Sequence, residues 1–181
     1  MLASLMIDEA DLRMLGAGRW LAPLMAHFGA EGGARFAVLL ARIGLSRSAL
    51  AASLTQLQAA DWLTRNRGHG HPLRPEYLLT AKGAPIAAFA ARLMAQRERL
   101  GLEPPQLPRW SLPVILRLDG GPARFSAIRR ALPPVTPRAL SLTLKQMLAT
   151  DLIDRALEPD FPPIAIYGLT RRGAGLAGAM R

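Results

Sequence analysis

Thr136-Pro137-Arg138-Ala139-Leu140-Ser141-Leu142-Thr143-Leu144-Lys145-Gln146-Met147-Leu148-Ala149-Thr150-Asp151-Leu152-Ile153-Asp154-Arg155 is the stretch whose reading decides the fold. Thr136 has the side chain of a helix N-cap, and Pro137 takes the first-turn position where a missing N–H is harmless. Leu140, Leu144 and Met147-Leu148 recur at helical spacing and predict a buried leucine stripe. Arg138, Ser141 and Lys145 fall on the other face, within reach of a partner. After Asp151 the period changes, and Leu152–Arg155 and Ile164–Leu169 read as two strands around the Pro-rich loop Glu158–Pro163. Thr170 then caps a final helix.

Upstream, the apolar run Trp110–Leu118 stops at Asp119-Gly120-Gly121-Pro122. Arg124-Phe125-Ser126 opens a short helix through Ile128, Arg129, Arg130 and Leu132, which Pro133-Pro134 ends. Helix, turn, helix and a two-stranded hairpin, in that order, predict a winged helix-turn-helix. In that arrangement the second helix enters the major groove and the hairpin loop lies along the nucleic-acid backbone. The expected class is mainly α with small β-hairpins (α+β).

The pattern occurs twice, at an offset of 90: Trp20 falls on Trp110, Leu54 on Leu144, Gln56 on Gln146, Asp61 on Asp151, Tyr77 on Tyr167 and Gly83 on Gly173. Arg35-Phe36 meets Arg124-Phe125 at 89, so the copies slip by one residue beside Gly or Pro and then recover. Two copies are too few for a solenoid, which needs about three repeats. The expected organisation is therefore an N-terminal helix (1–17), a first winged domain (18–87), a linker helix with a Pro-rich linker (88–107) and a second winged domain (108–181).

The 181 residues carry a formal charge of +10, and both repeats share it. Residues 18–87 hold eight Lys/Arg against three Asp/Glu, and residues 108–181 hold eleven against five. A basic domain of this kind points to nucleic acid, although high arginine content also accompanies a GC-rich genome. The absence of cysteine removes disulfides, thiol redox switches and thiolate metal sites together. His69 and His71 lie among glycines and a proline in an apparent loop and are read as solvated, not as metal ligands. No apolar run has the length of a membrane span and the N-terminus meets acids early, so a cytoplasmic protein is expected. No phosphate-binding glycine loop, Ser-His-Asp set or carboxylate pair suggests an enzyme, and no cofactor is expected.

At Gly121-Pro122-Ala123-Arg124-Phe125, at Thr136-Pro137-Arg138-Ala139-Leu140 running to Leu144, and at Pro162-Pro163 before Tyr167-Gly168-Leu169-Thr170-Arg171-Arg172-Gly173, the chain resembles the HxlR-type winged-helix transcriptional regulators. These are close in shape to the MarR group. The resemblance covers nearly all of residues 108–177 and implies a DNA-binding regulator of bacteria or archaea, usually a homodimer clamped by terminal helices. The first copy keeps Gly33-Ala34-Arg35-Phe36 and Leu79-Thr80-Ala81-Lys82-Gly83, with Ser46 as the cap. It has Ser48 and Thr55 where the second has Arg138 and Lys145, and Arg47 sits about 100° round the helix from Ser48. Its hairpin is the more basic, with Arg65, Arg67, His69, His71 and Arg74 against Glu158 and Asp160. A division follows in which the first copy holds phosphates and the second reads bases.

Two helices flank the repeats, Ile7–Leu15 and Ala84–Leu100, and are expected either to pair the repeats into a pseudo-dimeric monomer or homodimer or simply to cover the nearest core. Trp20, Trp110, Met14, Met25 and Phe28 can line a pocket for a small aromatic effector, or they can be ordinary core. The functional expectation is a repressor that binds double-stranded DNA. Its alternatives are a winged-helix assembly module without specific DNA readout and, less well supported, a small enzyme or ligand-binding protein on the same scaffold.

Overall fold

A computed structural model describes residues 7–66, 76–103, 106–159 and 163–181. Along the chain run α1 (Glu9–Ala17), α2 (Leu21–Glu31), β1 (Gly33–Arg35), α3 (Phe36–Ile43), α4 (Arg47–Ala59), β2 (Leu63–Asn66), β3 (Glu76–Leu79) and α5 (Gly83–Arg99). The second half continues with α6 (Ser111–Asp119), β4 (Ala123–Arg124), α7 (Phe125–Ala131), α8 (Pro137–Ala149), β5 (Ile153–Glu158), β6 (Ile164–Leu169) and α9 (Arg171–Gly178). The described chain divides into two units. Trp20–Met94 forms the body of the first, and Asp8–Arg19 joins Ala95–Arg181 in the second.

In the first unit Leu24, Met25, Phe28, Leu39, Leu50, Leu57 and Trp62 are withdrawn from water almost completely. They come from α2, α3, α4 and the start of the wing, so one core fixes the angle between the helices of the helix-turn-helix. Helices α3 and α4 meet at 118°, within the range of that motif. Gly44, at φ 69°, makes the left-handed stop after α3 that a β-carbon would resist. Ser46 accepts the Ala49 N–H at 3.2 Å and starts α4.

The second unit repeats the plan with Val114, Ile115, Ile128, Leu140, Leu144, Met147 and Leu152 at its centre. Thr136 accepts the Ala139 N–H at 3.2 Å, and Pro137 opens α8. Helix α1 packs on α6 within this unit: Gly16 lies so close to Arg109 that an added β-carbon would come within 2.6 Å of its carbonyl oxygen. The Arg13 guanidinium covers the Trp110 ring at 5.6 Å and reaches the Pro133 carbonyl at 3.4 Å. Farther on, Arg97 donates to the Leu102 carbonyl at 3.2 Å, and Arg172 donates to that of Leu100. Burial holds the Arg97 guanidinium below its ordinary pKa range, and the nearby Glu103 charge pulls it back up.

Each wing is a three-stranded antiparallel sheet, ordered β1-β3-β2 and β4-β6-β5. The expected two-stranded hairpin is thereby corrected: a third strand immediately precedes α3 and α7. Ala34 faces Tyr77 and Ala123 faces Tyr167, so equivalent residues pair in both copies and the slip of one residue is taken up outside the sheet, before β1 and β4 and again after α3 and α7. Strands of two or three residues carry no periodicity that a sequence reading can detect.

One joint between the second helix of the motif, α4 or α8, and the wing is built identically in both units. Asp61 and Asp151 take left-handed conformations, with φ of 60° and 54°, just past α4 and α8. The following N–H groups, of Trp62 and Leu152, turn back to the Leu57 and Met147 carbonyls at 3.0 and 2.9 Å, the six-to-one bond of a Schellman stop. Thr80 and Thr170 donate their hydroxyls to the Asp61 and Asp151 carbonyls at 2.6 Å. The same hydroxyls accept the N–H groups of Gly83 and Gly173 at 2.9 and 3.1 Å. A β-carbon on either glycine would stand 1.9 Å from the Trp62 or Leu152 carbonyl oxygen, which explains why glycine occupies both places.

Candidate nucleic-acid interface

On α8 the buried side chains Leu140, Thr143, Leu144 and Met147 form one stripe, and their mean direction is about 170° from Arg138 and about 150° from Lys145 on a regular helix. The two basic residues therefore face away from the core, with Ser141 beside them, and all are exposed. Among the described residues none of them has a hydrogen bond or ion pair. Long cationic side chains held on a capped helix and unsatisfied within the protein are equipped for phosphate oxygens and base edges. Thr136 is exposed at the N-terminus of the same helix, where its hydroxyl serves as the cap. Leu148, expected on the buried stripe, is instead 37% exposed, because it lies about 90° from the stripe's centre.

Helix α7 adds two cations that the sequence reading placed on a helix without giving them a task. Arg129 and Arg130 are exposed in its last turn, again without a protein partner among the described residues. In a helix-turn-helix the first helix crosses the nucleic-acid backbone, which suits arginines at this position to phosphates. The wing differs in character: Arg124 pairs with Glu158 at 3.0 Å, and Asp154 is exposed beside Arg155.

The first unit presents the same helices with the charge withdrawn. Ser48 lies 3.2 Å, hydroxyl to hydroxyl, from the cap Ser46, and Thr55 donates to the Ala51 carbonyl at 3.0 Å. Arg47 rests its guanidinium over the Phe36 ring at 5.6 Å. The places of Arg129 and Arg130 are taken by Leu40 and Ala41, and the next residue, Arg42, is bound to Glu31 at 3.0 Å. Also exposed on these helices are Ala37, Val38, Ala41, Ala51, Ala52 and Ala59, all small and apolar, together with Gln56. Arg65 is exposed on β2. Arg67, Arg74, His69 and His71 lie outside the described residues.

A family model described as HxlR-like helix-turn-helix matches the chain twice, over residues 15–101 and 107–181. The chain belongs to the HxlR-like family. An uncharacterised HTH-type transcriptional regulator of Methanothermobacter thermautotrophicus is 38% identical over 65 residues, 36% of this chain and 50% of that protein. The HTH-type transcriptional regulator YodB of Bacillus subtilis is 32% identical over 68 residues, 38% of this chain and 61% of its own. The chain thus spans about half to two thirds of the length of the curated relatives it matches. Among solved structures, the redox regulator HypR in its reduced form is similar at 30% identity and a TM-score of 0.38, covering 39% of this chain and 70% of that one. Both of these relatives are described as HTH-type transcriptional regulators.

The residues expected to line an effector pocket fall in different units of this HxlR-like protein. Phe28 and Met25 are wholly buried in the core of the first unit, of which Trp20, half-buried, is also a part. Met14 and Trp110 are half-buried in the second, where Trp110 carries the Arg13 guanidinium. Among the described residues no group of His, Asp or Glu is arranged to hold a metal ion, and no single helix is long and apolar enough to cross a membrane.

Proposed function

We propose that this HxlR-like protein is a sequence-specific, double-stranded-DNA-binding transcriptional repressor whose second unit reads bases and whose first unit contributes mainly through its wing. The observation that carries this reading is the cationic face of the second helix-turn-helix: Arg129, Arg130, Arg138 and Lys145 are exposed and, among the described residues, free of protein partners. A repressor needs only to occupy its operator, whereas activation needs a polymerase contact for which no residue here speaks. Titration of the protein against genomic duplex fragments at low and moderate salt tests the proposal. Affinity is expected to fall with a log–log slope of several units, since each neutralised phosphate releases condensed counterion. Failure to bind any duplex at low salt would sink it.

The apolar outer face of α3 and α4 favours a second reading for the first unit alone, as a protein-contact module that leaves DNA to its neighbour. A chain variant carrying Ala41→Arg distinguishes the two, because added charge strengthens DNA binding only where the helix already lies near the backbone.

Release by a small aromatic effector completes the proposal. This chain has no cysteine, so thiol oxidation is not open to it as a switch, and methionine is an oxidisable sulfur that remains. Tryptophan fluorescence against aromatic acids and phenols, followed by operator binding, checks the effector: a compound that quenches without changing operator affinity is bound without regulating.

A further inference from the structure

One side chain on the cationic face of α8 does not fit a phosphate-binding role. Leu142 is 59% exposed, among the most exposed large apolar side chains described. It follows Arg138 by one helical turn and stands about 150° from the centre of the buried stripe, so it points outward with Arg138 and Lys145. Nothing in the second unit's core explains a leucine there: its counterpart on α4 is Ala52, on a helix that packs the same way. A single leucine between charged and hydroxylated neighbours is too small for a protein-docking patch. It matches the one apolar feature of the major groove, the C5-methyl group of thymine.

We infer that Leu142 is a specificity-determining residue that packs against a thymine methyl beside the base contacted by Arg138. The inference rests on the proposed DNA-binding function. Four residues of helix advance about 6 Å, so the two side chains reach bases within about two base pairs of each other. An arginine in the groove prefers guanine O6 and N7. The preferred site is then expected to hold a guanine and a thymine at that spacing.

The test uses the full-length protein and its best selected duplex, with thymines replaced one at a time by deoxyuridine, which removes the methyl and keeps the hydrogen-bonding edge. The wild type is expected to lose about fourfold in affinity at one position, the worth of one buried methyl group. Leu142→Ala is expected to bind more weakly and to be indifferent to uracil at that position, while Leu142→Met keeps the preference. Leu142 is exposed, so these variants leave the core intact, and an unchanged thermal midpoint verifies this. A wild type indifferent to every uracil overturns the inference and leaves the DNA-binding reading standing. So does a Leu142→Ala protein that still discriminates uracil as the wild type does. A wild type that binds no duplex overturns both.

Discussion

On α8, Arg138, Ser141 and Lys145 stand exposed and without partners among the described residues, whereas on α4 the hydroxyl of Ser48 lies against that of Ser46 and Thr55 is bonded to its own backbone. On α7, Arg129 and Arg130 have no partner among the described residues; on α3, Leu40 and Ala41 replace them and Arg42 is tied to Glu31. Beneath these surfaces the joints are the same, from the capped recognition helix to the left-handed aspartate and the Thr-Gly pair that locks the wing. The difference teaches which part of the motif is required by folding and which by partners. Caps, stripes and close approaches are retained in both copies because the core depends on them. The outer face depends on nothing inside the protein, and it diverges.

The comparison breaks first if the shared joint is not equally important in both copies. Gly83→Ala and Gly173→Ala each drive a β-carbon against a backbone carbonyl, and each is expected to cost about 3 kcal/mol, read from urea denaturation. A large loss in one unit and none in the other would show that the joints are alike in geometry only. The surface comparison comes next. Arg138→Ala is expected to cost about 1–3 kcal/mol on the preferred sequence and to relax specificity, while Ser48→Ala changes binding by less than about 0.5 kcal/mol. Equal losses would mean that the first unit also reads bases.

Arg129→Ala and Arg130→Ala sharpen the comparison further. Each is expected to weaken all sequences alike and to lower the salt slope by about 1, measured by titration at several ionic strengths. The smallest effect belongs to the left-handed aspartates. Asp61→Gly and Asp151→Gly keep the left-handed backbone but remove the β-carbon that is strained in it by about 1–2 kcal/mol, less the entropy lost by ordering glycine. A net gain of about 0.5 kcal/mol is expected from thermal or urea unfolding, similar in the two copies.

Much of this architecture was legible because local chemistry and packing agreed. Thr136, Ser46 and Thr170 cap helices as their side chains indicate, and Leu140 and Leu144 of α8 lie inward at helical spacing, whereas Leu148, expected with them, is exposed at the stripe's edge. Strands β1 and β4 escaped notice because their pairing with β3 and β6 is a long-range event with no local period. The site was legible on α8, where Arg138 and Lys145 follow from helical geometry. Arg129 and Arg130 were visible as charges, but their freedom from ion pairs depends on where every acid lies in three dimensions. The same holds for Arg47, whose cation–π contact with Phe36 crosses the turn between two helices. Leu142 resembles any other leucine until the direction of the stripe is fixed.

The close approach of Gly16 to Arg109 also governs the order of events on the ribosome. Asp8–Arg19 is made before Trp20–Met94 yet belongs to the unit completed after it, so Trp20–Met94 is a continuous insert between two pieces of the second unit. The insert has all of its own strands and its helix-turn-helix by the time Met94 emerges, whereas the earliest helix has no surface to cover until α6 is synthesised. Closing so long a loop costs only slightly more than closing a short one, since the entropy grows with the logarithm of length. A nascent chain stalled after the first unit therefore exposes the apolar side of α1, Leu12 and Leu15 included, and deleting that helix weakens the half of the protein farthest from it in sequence.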